Sequence, residues 1–330
     1  MAAVLISLLS ALTARPLDAE RWIDVADRWQ YGGGARPGDP AAEAWGALTR
    51  AILCRHGVEQ MSADADEAVR AFAAASIADP APLFLQGLAR VLSGDLEGGE
   101  ASFQDAVAVA GEADAPDTLA VTQCVRSLLA IARNDWTQAE VLADQARTAM
   151  RQARLEESYQ TPLVCAAHAR IAMHRRDLPA VRQELVAAQR SRHQLTYAVP
   201  HLAVQGRIEL ALVYLALPDL EGARTLMREI DELLRRRPGL GTLVSQAKTL
   251  RDRLAGESGS NLPGASALTA AELRLLPLLA THLSFPQIGE EVFLSRNTIK
   301  SQAVSIYRKL GVSSRNLAVA RARELGLLEG

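Results

Sequence analysis

The sequence predicts an all-α protein: an array of helical hairpins followed by a small four-helix domain. Three observations predict it. Alanine and leucine dominate a composition that is 49% hydrophobic and only 4% aromatic, which favours helices over sheets. Apolar residues recur at spacings of three and four, the signature of a buried helical face. A self-similar pattern also returns every 40 to 42 residues through the middle of the chain.

The first fourteen residues, MAAVLISLLSALTA, are an apolar run too short to span a bilayer and lack the positive n-region of a secretory signal. They predict a buried first helix. Tyr31 to Pro40 is a Gly/Pro loop between the first two hairpins. No Lys-Ser/Thr follows its glycines, and G-x-x-x-x-G-K occurs nowhere, so no phosphate-binding loop is expected.

The repeat is anchored by an Asp followed by Leu or Trp: Asp95-Leu96, Asp135-Trp136, Asp177-Leu178 and Asp219-Leu220. Eight residues before each Asp stand small residues, Gly87, Ser127, Ala169 and Ala211. Four after come Gly99, Ala139, Val181 and Ala223; eight after, Phe103, Ala143, Leu185 and Met227; eleven after, Ala106, Ala146, Ala188 and Ile230. Offsets of four, eight and eleven share one helical face, so each unit reads as two helices pressed together across a short turn. The phase holds around Arg15, with Ser7, Ala19, Ile23 and Ala26 in the matching places. Around Arg55 only the first helix fits, which predicts an irregular hairpin. The small residue, the turn and then A-x-x-x-F-x-x-A resemble the tetratricopeptide repeat, although the period here exceeds the roughly 34 residues of that family. The reading is a tetratricopeptide-like α-solenoid over residues 1–254. Its concave surface is the expected site for a small-molecule or protein effector.

Residues 255–267, AGESGSNLPGASA, read as a flexible Gly/Ser-rich linker, and the last domain is expected over 268–330. The linker is expected to let the repeat domain position or occlude the final helix. In the last domain, Thr269 to Ala280 predicts a helix. Ser284 to Phe293 predicts a short one, with Pro286 in its first turn and Ile288 and Val292 four apart. The next helix opens at a capping serine, Ser295, and places Ile299, Ala303, Ile306 and Leu310 on a core face. Asn297, Ser301, Val304 and Arg308 fall opposite, flanked by Lys300 and Ser305. The final helix is expected to start at Ser314 and stop at Gly326. Two short helices joined by a tight turn after a longer one is the order of a helix-turn-helix.

The chain carries 36 Lys and Arg against 38 Asp and Glu, a formal charge of −2. Residues 268–330 hold eight basic against five acidic residues, a local +3 that leaves −5 elsewhere. Asymmetry of this sign suits a module that meets phosphates. Cys54, Cys124 and Cys165 form no close pair, so neither a metal site nor a disulfide framework is expected, and a reducing cytoplasm fits. The six histidines show no i, i+4 pairing. Glu156-Glu157 and Glu290-Glu291 diverge, and nucleophile motifs are absent. No catalytic, metal or cofactor residue is assigned, and no membrane association is expected.

The ordered set LT-x-x-E (Leu268 to Glu272), LS-x-x-x-I (Leu283 to Ile288), LS-x-N-T-I-K-S (Leu294 to Ser301), I-Y-R-K-L-G-V-S-S-R (Ile306 to Arg315) and A-R-E-L-G-L-L (Ala322 to Leu328) resembles the LuxR-type helix-turn-helix. The resemblance implies a dimer-capable module that reads pseudo-palindromic double-stranded DNA, with the last helix used for dimer contact. By position it implies base-facing Lys300, Ser301 and Val304, and phosphate contacts from Asn297, Thr298, Arg308 and Lys309. Phe285-Pro286-Gln287 replaces the family's commoner Asn-Lys-Glu, and Gln302 stands where histidine is frequent. Repeats followed by this module resemble the C-terminal part of MalT-like regulators, without their ATPase domain. The function implied is a sequence-specific transcriptional regulator, not an enzyme. The competing expectation is a repeat scaffold for other proteins with a vestigial or tethering DNA module. Steep salt dependence with a preferred operator distinguishes the regulator from it.

Overall fold

A computed structural model describes residues 1–31, 40–217, 219–259, 268, 270–324 and 327–328. Among the described residues the regular elements are all helical: α1 (Ala2–Leu12), α2 (Pro16–Tyr31), α3 (Pro40–Leu53), α4 (Val58–Ala74), α5 (Ala81–Ser93), α6 (Leu96–Glu112), α7 (Pro116–Ala132), α8 (Trp136–Gln152), α9 (Thr161–His174), α10 (Leu178–Ser191), a 3₁₀ turn (Arg192–Gln194), α11 (Pro200–Ala216), α12 (Leu220–Arg236), α13 (Thr242–Gly259), α14 (Ala270–Leu279), α15 (Phe285–Val292), α16 (Arg296–Lys309) and α17 (Arg315–Glu324). They form two compact units, Met1–Val213 with Leu226–Thr249, and Tyr214–Thr225 with Leu250–Gly330.

In the first unit consecutive helices pair, α1 with α2, α3 with α4, α5 with α6, α7 with α8 and α9 with α10, and first helices lie side by side from α1 through α9. The periodic Asp residues build the turns. Asp95, Asp135 and Asp177 are N-caps whose carboxylates accept from the backbone N–H groups of Gly98, Gln138 and Ala180 at 2.9, 3.0 and 3.1 Å. Each cap satisfies one of the donors orphaned at a helix start. The residue before each Asp is left-handed: Gly94 at φ 95°, Asn134 at 63° and Arg176 at 60°. The Asp N–H then reaches back to the carbonyl five residues earlier, at 2.9 Å in all three turns, which closes the preceding helix. Two residues thus stop one helix and start the next.

The repeated apolar positions form the core. Ala169, Ala211, Ala139, Val181, Ala223, Phe103, Ala143, Ala106 and Ala146 are all fully buried. Gly87 is small because a Cβ there would lie 2.7 Å from the Phe103 ring. The phase assigned to Arg15 repeats a specific bond: Ser7 Oγ donates to the Ala19 carbonyl at 2.7 Å, as Ser127 Oγ does to that of Ala139. The irregular second hairpin has a physical cause. Its connection, residues 54–57, has four residues where the other hairpins of the unit have two or three, and Gly57, at φ 91°, takes the place an Asp holds elsewhere. Counted from Gly57, Met61, Ala65 and Ala68 stand four, eight and eleven residues on, and all are fully buried.

The array closes on itself. Arg237, just after α12, donates to the Leu53 carbonyl at 3.2 Å and pairs with Glu20, 184 and 217 residues away in sequence. Val58 N–H donates to the Gly239 carbonyl at 2.8 Å. Gly241 comes so close to Leu92 that a Cβ would stand 2.1 Å from its carbonyl oxygen. Between hairpins run ion pairs, Arg126 with Glu100, Arg147 bidentate with Glu184 at 2.7 Å, and Arg170 with Glu209.

Helix α13 continues to Gly259, over the first five residues of the expected linker, and Tyr31 and Pro40, the ends of the expected loop, close α2 and open α3; residues 260–267 and 32–39 and the cap at Gly326 lie outside the described residues. The three cysteines are buried. Burial pushes the Cys54 thiol up to about 11 and Cys165 up to about 12, which makes them inert packing groups.

Candidate nucleic-acid interface

In the second unit α14 to α17 pack around Leu275, Leu276, Leu279, Ile288, Ile299, Ala303, Ile306, Ala318 and Ala322, with Leu268 at the edge of the cluster. The short α15 starts with a closed box: the Ser284 backbone N–H donates to Gln287 Oε1 at 2.9 Å. Gln287, where the family commonly has glutamate, therefore still serves the helix start. The turn into α16 passes through Phe293 in the left-handed region at φ 67°, and Leu294 N–H returns to the Gly289 carbonyl at 2.9 Å. A Cβ on Gly289 would meet the Leu294 carbonyl at 2.5 Å, so the turn's tightness requires glycine.

Helix α16 is capped by Ser295, whose Oγ accepts from the Thr298 N–H at 3.0 Å. Its inner face holds Ile299, Ala303 and Ile306, each fully buried, while Leu310 ends the helix partly buried. Asn297, Lys300, Ser301, Val304 and Arg308 are exposed. Val304, 55% exposed, is an apolar residue amid polar and cationic ones. Arg296 is exposed as well. It was missed by the sequence reading, although residues 296, 300, 304 and 308 follow one i, i+4 line, and that line was legible.

Two residues expected at phosphates are placed differently. Thr298 is only 4% exposed. Its Oγ1 bonds Ser295 Oγ at 2.8 Å and lies 3.3 Å from both carboxylate oxygens of Asp219, in the same unit. Lys309 is drawn inward by charge: its Nζ lies 2.6 Å from Glu272 Oε2, with side chains 4% and 6% exposed. Ser305 Oγ donates to the other oxygen of Glu272 at 2.8 Å.

Arg315, counted with the basic residues, is also committed internally. Its guanidinium donates to the carbonyls of Leu279, Leu283, Leu278 and Thr281 at 2.9, 2.7, 3.2 and 2.8 Å. It thereby caps the C-terminus of α14, where a cation suits the helix dipole. Arg321 pairs with Glu324 at 2.8 Å. Among the described residues, the exposed cations left for a ligand on α16 are Arg296, Lys300 and Arg308. A helix with a buried apolar face, a capped N-terminus and an exposed cationic stripe can enter a major groove.

Among the described residues no group of His, Cys, Asp and Glu could hold a metal ion, and no helix is long and apolar enough to cross a membrane.

Residues 266–322 match the family described as bacterial regulatory proteins, luxR family. The chain is 31% identical over 135 residues to the transcriptional regulatory protein YdfI of Bacillus subtilis strain 168, an alignment covering 40% of this chain and 60% of that protein. It is 38% identical over 84 residues to a probable transcriptional regulatory protein NarL of Mycobacterium tuberculosis, covering 25% of this chain and 39% of that protein. The chain thus spans less than two thirds of the length of either relative. Through the module built on α14 to α17, it carries a domain of the luxR family of bacterial regulatory proteins.

Proposed function

We propose that the protein is a cytoplasmic, sequence-specific DNA-binding transcriptional regulator whose tetratricopeptide-like repeats sense an effector. The observation that carries this reading is the stripe Arg296, Lys300, Val304 and Arg308, exposed on a helix whose opposite face is the core of a luxR-family domain. Lys300 and Ser301 are suited to donate to base edges and Val304 to meet a thymine methyl, while Asn297, Arg296 and Arg308 hold phosphates. Thr298 and Lys309 support the reading helix from within.

The protein binds as a homodimer, through α17. Leu317 on that helix is 52% exposed, and a two-fold protein matches a palindromic site.

The test is selection of bound sequences from a random DNA pool with the full chain and with Lys300→Ala. A palindromic consensus that the mutant alters or loses supports the reading. Weak binding without enrichment, insensitive to salt, overturns it.

A further inference from the structure

The first helices of the closed array surround a cavity of about 180 Å³. Leu8 of α1, Leu48 of α3, Phe84 of α5 and Leu202 of α11 give it apolar walls. A cavity of that size holds a body of about one ring, since an apolar cavity of roughly 150 Å³ takes benzene. Three features are out of keeping with a mere packing defect.

His201 lines the cavity at 2% exposure, and its Nδ1 has no hydrogen-bond partner among the described residues. A buried nitrogen left without a partner is a cost to the fold, so the position is one a ligand's polar group would relieve. Asp79 and Asp117 line the same cavity. Burial, and then the charge of Asp117, push the Asp79 carboxyl up, and neither carboxyl has a cationic partner among the described residues. Among the described residues Asp79 accepts only the Ala81 N–H, at 2.8 Å. Tyr159 completes the acidic end; its hydroxyl accepts from Gln160 Nε2 at 3.0 Å and keeps its own proton to donate.

We infer that this cavity is the effector site, and that it takes a small amine: an ammonium held by Asp79 and Asp117, an apolar single-ring body among the leucines and Phe84, and a hydroxyl for His201. Two like charges beside an apolar chamber select a cation over a neutral or acidic isostere. Asp117 is exposed while His201 is buried, so the ammonium lies at the mouth and the ring inside. The inference rests on the sensing role proposed for the repeats and assigns it a place and a chemistry.

Calorimetric titration of the full chain with tyramine, 2-phenylethylamine and 4-ethylphenol separates the contributions. Tyramine should bind tightest, with 4-ethylphenol weaker by roughly tenfold or more, as expected for losing one partly screened charge pair. Asp117→Asn, at an exposed position that leaves the fold intact, should weaken tyramine several-fold and leave 4-ethylphenol unchanged. Binding of 4-ethylphenol as tight as tyramine, or an Asp117→Asn variant with the difference intact, overturns the amine assignment. No binding by any of the three overturns the site. Repeating DNA titrations with saturating tyramine tests the sensing role separately: tyramine bound without any change in DNA affinity upholds the site and removes its regulatory meaning.

Discussion

Lys309 Nζ lies 2.6 Å from Glu272 Oε2, and both side chains are nearly excluded from solvent. The pair ties the last turn of α16 to the first turn of α14, with Ser305 as a second tie on the same carboxylate. Removing one member of a buried pair leaves an uncompensated charge, at about 3–5 kcal/mol. Glu272→Ala should therefore lower the melting temperature of the C-terminal module by calorimetry, while Glu272→Gln with Lys309→Met recovers part of the loss. If Glu272→Ala melted like the parent, the pair would not be holding α16.

Lys300 and Arg296 act on the opposite side of that helix, so their substitutions should separate from the above. Each to Ala should leave the melting temperature unchanged and weaken DNA binding. Lys300→Ala should cost about 1–3 kcal/mol with altered base preference; Arg296→Ala should weaken all sequences alike and reduce the salt slope by about 1. Fluorescence anisotropy at several salt concentrations reads both. A shifted base preference for Arg296→Ala would exchange their roles.

Gly289→Ala places a methyl 2.5 Å from the Leu294 carbonyl. Backbone rather than a flexible side chain must give way, and overpacking of this kind costs about 1–3 kcal/mol. Operator binding should fall with module stability, while the repeat unit's transition is unmoved. A two-transition thermal scan tests this.

Arg176 is exposed in the left-handed region at φ 60°. Glycine pays no Cβ penalty there, and Arg176→Gly should stabilise the repeat unit by up to about 1 kcal/mol. Asp135→Ala, which strips the cap from α8, should destabilise it by about 0.5–2 kcal/mol. Urea denaturation checks the opposite signs.

Burial pushes His201 down to about 3, whereas an unfolded imidazole titrates near about 6.5. The folded state binds fewer protons in between. Its contribution to stability is complete above about pH 6.5 and declines by about 1.4 kcal/mol per unit as pH falls toward the folded value. His201→Asn should remove one proton's worth of slope between about pH 6 and 4, measured by denaturant titration against pH. Identical slopes would show that the imidazole is protonated in the folded chain.

The all-helical class and the buried face of every regular hairpin were legible because both are periodicities, and core packing follows period. The Asp at each turn was visible as punctuation but not as an N-cap, since capping is a matter of backbone angles. The hairpin at Arg55 was out of phase for the same reason: a longer turn moves the register to Gly57, and no residue type announces that. On α16 the inner and outer faces followed from spacing, yet Lys309 and Arg315 could not be told from DNA-facing cations. Their partners, Glu272 and the carbonyls ending α14, lie more than thirty residues away. The charged letters that make the module recognisable are thus partly its internal fastenings. Nor could the cavity be foreseen, because six segments distant in sequence meet only when the array closes.

That closure through Arg237, Glu20 and Leu53 has a bearing on how the protein can change over time. An open stack of repeats resembles a ladder, and rungs can be added or dropped at either end with only local effect. A hoop has a circumference. Deleting or inserting one hairpin would pull the seam apart and alter the chamber at its centre in the same stroke, so unit number and binding chemistry are bound to vary together or not at all.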